Sequence, residues 1–228
     1  MITERKLKLI LIRLIKVVSV LLLVFYTVFK STLLYVEHRI GRHYSTDSKA
    51  LTDTVIIHFI HGSIPMENCI YPRKRLGGLL GGHVEIEVEG RVYGFRLEKL
   101  PVHIFVDNNN FNSKYEVNTK EAWLKRTEYE KITSVYLPIS EGQKDTLQAI
   151  LTAYLANSPY DYAFFGTRCA TSTAEVLAKS GIICPLSNVE NSIAFLSPHP
   201  LRQTLLQLAS DKHFLVTRKK GVDCRYWE

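Results

Sequence analysis

The sequence predicts an α+β domain, an antiparallel sheet packed on helices, preceded by an N-terminal transmembrane helix. Three observations carry that expectation. Residues 17–36 are a run of twenty whose only charge is Lys30, enough as a helix to cross roughly 30 Å of hydrocarbon. Residues 83–97, HVEIEVEGRVYGFRL, alternate apolar and polar side chains on both sides of Glu89-Gly90, the pattern of a hairpin with a two-residue turn. After Ser140 the period lengthens, and Leu147, Ile150, Leu151 and Tyr154 fall at helical spacing.

Charge narrows the function classes. Of the net +7, six charges belong to residues 1–43, where eight Lys/Arg stand against Glu4 and Glu37. The remainder is close to neutral, so the basic balance speaks for a membrane partner and not for nucleic acid. Arg5, Lys6, Lys8, Arg13 and Lys16 precede the apolar run, which favours a cytoplasmic N-terminus and an exported domain, while Arg39 and Arg42 on the far side pull against that. No A-x-A-like site follows the run, so an uncleaved single-pass anchor is read over its rival, a cleaved signal peptide. The chain then divides into an anchor (1–36), a polar linker (37–53) and a domain (54–228). Cys69, Cys169, Cys184 and Cys224 have neither C-x-x-C nor regular spacing, so no zinc ribbon or disulfide framework is indicated. In an exported domain two of them could pair, and the spacing leaves open which.

The elements follow in order. TVIIHFIHG (54–62) is a buried strand ending at Gly62, and 63–82 is a Pro- and Gly-rich loop. The hairpin 83–97 comes next, then a strand at 102–106 and an Asn-rich loop at 107–118. A helix at 120–131 and a strand at 132–139 lead to a helix capped by Ser140. A helix from about Arg168 to Ser180 stops at Gly181, and a helix at 199–210 with a strand at 213–219 ends the domain.

The chemistry centres on YDYAFFGTRCATSTAEVLAKSGI (160–182), which puts Cys169 in the first turn of a helix. Unpaired N–H groups and the helix dipole there stabilise a thiolate. Against this stands the ordinary fate of a free cysteine, which is to be buried and inert. A thiol nucleophile also needs a base, and six histidines lie beyond the linker: His58, His61, His83, His103, His199 and His213. His83 is the candidate because it begins a strand directly after Gly81-Gly82, with Glu85 and Glu87 on its own face. His58 and His61 form H-x-x-H on a strand, where the two side chains point to opposite faces, so no metal ligation is expected. RLGGLLGGH lacks the G-K-[ST] of a phosphate loop, and no cofactor is expected. The run Tyr160, Tyr162, Phe164, Phe165 reads as core, with one tyrosine a possible donor to an oxyanion.

GGHVEIEVEGRVYGF resembles the histidine hairpin of NlpC/P60-type papain-like enzymes. In the ordinary members the cysteine helix precedes that hairpin. Here it follows, with Tyr160-Asp161-Tyr162 shortly before Cys169, an order similar to the circularly permuted branch of YiiX-like amidases and lecithin:retinol acyltransferase-like enzymes. The resemblance spans roughly residues 54–182. It implies a papain-like fold, with Cys169 as nucleophile and His83 as general base on an amide or ester, through an acyl-enzyme. The substrate would be a cell-wall peptide or a lipid. The family usually orients its histidine from the hairpin's second strand, but Gly94 falls opposite Glu85 and Arg96 opposite His83. Glu85 and His103 are the substitutes, and Glu85 is preferred because a carboxylate stabilises the imidazolium. The alternative is a catalytically silent relative that binds peptide, glycan or lipid in the same cleft.

Overall fold

The computed structural model describes residues 4–46, 51–67, 69, 82–105 and 112–228. Its first helix, α1 (Glu4–Thr46), runs unbroken through the apolar stretch and on through residues 37–46, which the sequence suggests are linker. Those residues are polar because one side of the helix meets water. The other side binds the domain: Leu33, Val36 and Ile40, spaced by three and four, are buried in its core. Arg39 pairs with Glu190 at 2.7 Å, His43 Nε2 lies 3.0 Å from Gly181 O, and Tyr44 packs edge-on against Phe214. Apolar side chains therefore lie exposed earlier than 17–36, from Ile10 to Val28, about 28 Å of helix. This helix is long and apolar enough to cross a membrane.

Beyond α1 a six-stranded antiparallel sheet organises the domain. Its strands are β1 (Asp53–Ile60), β3 (His83–Val88), β4 (Arg91–Leu97), β6 (Ser113–Thr119), β7 (Ile132–Ile139) and β9 (Val216–Lys219), in the order β6-β4-β3-β1-β7-β9. The hairpin turns at Glu89 and Gly90, both with positive φ, as a two-residue turn matched to strand twist requires. β1 is buried on both faces. Val55, Ile57 and Phe59 face the main core, while Ile60 joins Val92, Trp123 and Ile132 on the other side.

That main core is closed by four helices: α3 (Glu141–Ala156), α4 (Cys169–Lys179), α5 (Asn188–Ala194) and α6 (Pro198–Lys212). Ser140 and Gln143 cap α3 reciprocally. α4 ends where Gly181 (φ 69°) lets Ile182 N bond Leu177 O at 2.9 Å and Gly181 N bond Ala178 O at 3.0 Å. The opposite face carries α2 (Lys120–Arg126), shorter than the expected 120–131, through Trp123.

Other expectations need correction. Residues 113–118, read as loop, belong to edge strand β6, whose alternation of buried Ser113 and Tyr115 with Lys114 and Glu116 is hidden by its polarity. The strand expected at 102–106 is β5 (His103–Phe105), and it pairs in parallel with β8 (Ala163–Phe165), apart from the main sheet. Inside the expected loop 63–82 lies β2 (Ser63–Pro65), paired with β10 (Arg225–Trp227). A disulfide, Cys69–Cys224, closes that pair of strands and settles the pairing the spacing left open. Residues 68 and 70–81, with Gly81, lie outside the described residues, as do 106–111.

Candidate active site

Two chain segments meet at Cys169. Gly82 (φ 65°) turns the chain into β3, and a Cβ there would collide with the carbonyl of Ile60, so only glycine brings the strand in at this point. His83 is the next residue and pairs with Ile60 across β1. From the other side α4 begins at Cys169, its start held by Thr171 Oγ1, which accepts from Arg168 N at 2.6 Å. Buried Ala170 and Ala174 keep the helix surface small where it packs on β3 and β4. Cys169 is 3 % exposed and His83 6 %.

Burial alone would push the Cys169 thiol up. The charge of His83, a hydrogen bond to its ring and backbone hydrogen bonds from Val84 and Ala170 outweigh burial, and the thiol sits below its ordinary value. His83 mirrors this. Burial would lower it, yet the Cys169 sulfur and then the Glu85 carboxylate raise it to about 9. The two groups favour one state together: thiolate beside imidazolium.

Glu85, 1 % exposed, lies under this pair with Oε1 3.6 Å from His83 Nε2, a charge contact longer than a hydrogen bond. Its own bonds run elsewhere. Arg96 Nη2 donates at 2.7 Å, Arg126 Nη2 at 2.7 and 2.9 Å, and Trp123 Nε1 at 2.5 Å. Burial raises the Glu85 carboxyl, but His83, Arg96 and Trp123 together bring it below the usual range. Arg96 thus serves the carboxylate and does not oppose the imidazolium directly. Gly94 has a role as well: a Cβ there would stand 2.9 Å from Glu85 Oε1, so the missing side chain makes room for the carboxylate. His103, the other substitute, faces Asp161 Oδ2 at 3.6 Å from β5.

The aromatic run divides three ways. Tyr160 is core, bonded to Ser172 at 2.8 Å. Phe164 and Phe165 are exposed, against expectation. Tyr162 reaches the site: its hydroxyl is raised by burial and by the Cys169 sulfur, with hydrogen bonds to that residue's side chain and backbone, and its ring stacks on Phe95. Sequence pattern pointed to a tyrosine in this run without saying which. For Trp123 and Arg126 as partners of Glu85 there was no local signal, since α2 meets β3 only through the fold, whereas the hairpin register had already set Arg96 on the facing strand.

A second histidine cluster lies on adjoining strands. His58 Nδ1 lies 2.8 Å from Ser134 Oγ and His58 Nε2 lies 2.8 Å from Glu87 Oε2, with the Trp123 ring 4.2 Å above the imidazole. Lys120 pairs with Glu87 at 2.7 Å. His61 has other partners, Thr133 Oγ1 at 2.9 Å and Glu228 O at 3.0 Å, and burial followed by Arg202 lowers it to about 4. His58 and His61 therefore share no partner.

Compared with protein-family models, curated proteins and solved structures, the chain matches none.

Proposed function

We propose that this protein is a membrane-anchored, thiol-dependent hydrolase or acyltransferase acting on an amide or ester, in a permuted papain-like domain of the NlpC/P60 type. The observation that carries the reading is the Cys169–His83 pair at a helix N-terminus, with the thiol lowered and the imidazole raised to about 9. Cys169 Sγ attacks the carbonyl carbon, and the charge that forms on its oxygen is met by helix N–H groups and the Tyr162 hydroxyl. The tetrahedral species expels the amine or alcohol, which takes its proton from the His83 imidazolium, leaving a thioester on Cys169. Water or a second acceptor then gives its proton to His83, attacks the thioester and releases the sulfur as thiolate. Glu85 stabilises the imidazolium from 3.6 Å.

An exported domain with a cytoplasmic N-terminus fits the basic residues before the apolar run, and the Cys69–Cys224 disulfide fits an oxidising compartment. The deciding experiment labels the full chain with a thiol-directed acyl probe and weighs the adduct by mass spectrometry. Labelling on Cys169, absent in Cys169→Ala, supports the enzyme. A second reading, a silent binding domain, is favoured by a polar cleft of about 230 Å³ lined by Tyr160, Thr171, Glu175, Lys179 and Asn191, on a flank of α4 that does not include Cys169. Labelling that ignores Cys169→Ala would decide for that reading.

A further inference from the structure

The β5–β8 ribbon stands off the main sheet and carries, among the described residues of the domain, a cluster of exposed aromatic side chains. Leu100 is 77 % exposed and Phe105 71 %, with Ile104, Phe164 and Phe165 exposed beside them. Phe105 and Phe165 lie 6.2 Å apart, Phe164 and Phe165 4.8 Å. Contiguous apolar surface of this kind on a soluble face marks an interaction site.

Contacts along α1 say which way the ribbon faces. At His43 the helix meets Gly181, and one turn nearer the apolar run, at Arg39, it meets Pro185 and Glu190. The chain from 181 to 190 therefore descends toward the membrane end of α1. Two residues beyond α5, Leu196 O accepts from Arg168 Nη1 at 3.4 Å, and that guanidinium lies 4.6 Å over the Phe164 ring. Val189, at the descending end, is 68 % exposed. Through Arg168 and Leu196 the ribbon is tied to the segment that follows α5, the helix that Arg39 holds one turn nearer the span, and a cation sits at its aromatic edge.

We infer that the β5–β8 ribbon docks into the headgroup–acyl boundary of the leaflet from which α1 emerges. Aromatic rings with a neighbouring guanidinium suit that depth, where rings bury their faces and the cation meets lipid phosphate. The span already places lipid beside the domain, so docking needs no further partner. The inference does not depend on catalysis by Cys169.

Depth-dependent quenching of the full chain in liposomes tests it. Phe105→Trp adds an indole at an exposed position, and Leu124→Trp adds one on α2, across the sheet, as the control. With lipids brominated on their acyl chains, the expected result is a blue-shifted, strongly quenched added emission for Phe105→Trp and an unquenched one for Leu124→Trp. Emission at the wavelength of exposed indole, equal in plain and brominated lipid, would overturn the proposal. So would a blue-shifted emission that bromine leaves untouched, which would put a second copy or another protein on the ribbon.

Discussion

Two clusters on this sheet hold the same inventory: a histidine, a glutamate and an oxygen or sulfur that could attack. At Ser134–His58–Glu87 the hydrogen bonds are the better ones, 2.8 Å on each side of the ring. At Cys169–His83–Glu85 the carboxylate stands off at 3.6 Å and spends its bonds on two arginines and a tryptophan. Tight bonding is what a structural cluster wants, since every buried polar group is then satisfied. Ser134 lies mid-strand, paired on both sides, and Trp123 closes over His58. Cys169 instead opens a helix, with amides and Tyr162 turned to its sulfur. Reactivity follows the charge state a site stabilises, and short bonds are a poor guide to it.

The largest test of that contrast removes each attacking atom. Cys169→Ala should abolish modification by the thiol-directed probe, whereas Ser134→Ala should leave it unchanged. Turnover that survives the first change and dies with the second would invert the comparison. Next comes His83→Ala. Burial without the imidazolium should carry the thiol above its ordinary value of 9.0, so alkylation at pH 7 should slow by roughly tenfold or more and recover only in alkali. An alkylation-rate profile across pH checks this.

Stability across pH has its own signature. His83's contribution is complete below 6.5 and is lost as pH rises through about 9. The contribution of Cys169 runs oppositely, complete above 9.0 and lost as pH falls through its lowered value. Above that lowered value, and within 6.5 to 9.0, folding merely moves the proton from sulfur to ring, the two slopes cancel, and the pair adds no pH dependence. Denaturation midpoints for wild type and the Cys169→Ala/His83→Ala double variant should run parallel in that window and diverge below it.

Smaller effects are expected at the supporting groups. Glu85→Gln should slow alkylation less than His83→Ala, and should lower stability by about 1–2 kcal/mol because Arg96 and Arg126 lose a charged acceptor. Smallest of all, Ser134→Ala should cost about 1 kcal/mol in chemical denaturation with no kinetic effect, the share of one buried hydrogen bond.

What the sequence made legible was what local chemistry fixes. The Glu89-Gly90 turn, the Ser140 cap and the Gly181 stop each depend on a few neighbouring residues, and each appears as expected. Cys169, His83 and Glu85 were legible for the same reason, as a helix start and one face of a strand. Strand β6 escaped because Tyr115 is its one buried large side chain in a mostly polar run, and α5 escaped although Ser187 and Glu190 form a capping box. Residues 37–46 look like linker because Arg39, His43 and Tyr44 find partners more than a hundred residues away. Phe164 and Phe165 are apolar yet exposed, and hydrophobicity alone cannot tell a core from a docking surface.

The unbroken α1 also decides how this protein explores its surroundings. A flexible tether of the seventeen residues 37–53 would have let the domain wander over roughly 23 Å. Helix continues to Thr46 instead, bonded to the domain at Glu190 and Gly181, and such a mount has no swivel. With that helix seated in a bilayer, the domain would glide and spin with it but could not reach upward. Its encounters would then be those of a two-dimensional gas, set by lateral diffusion, and a partner held well above the domain would not be met.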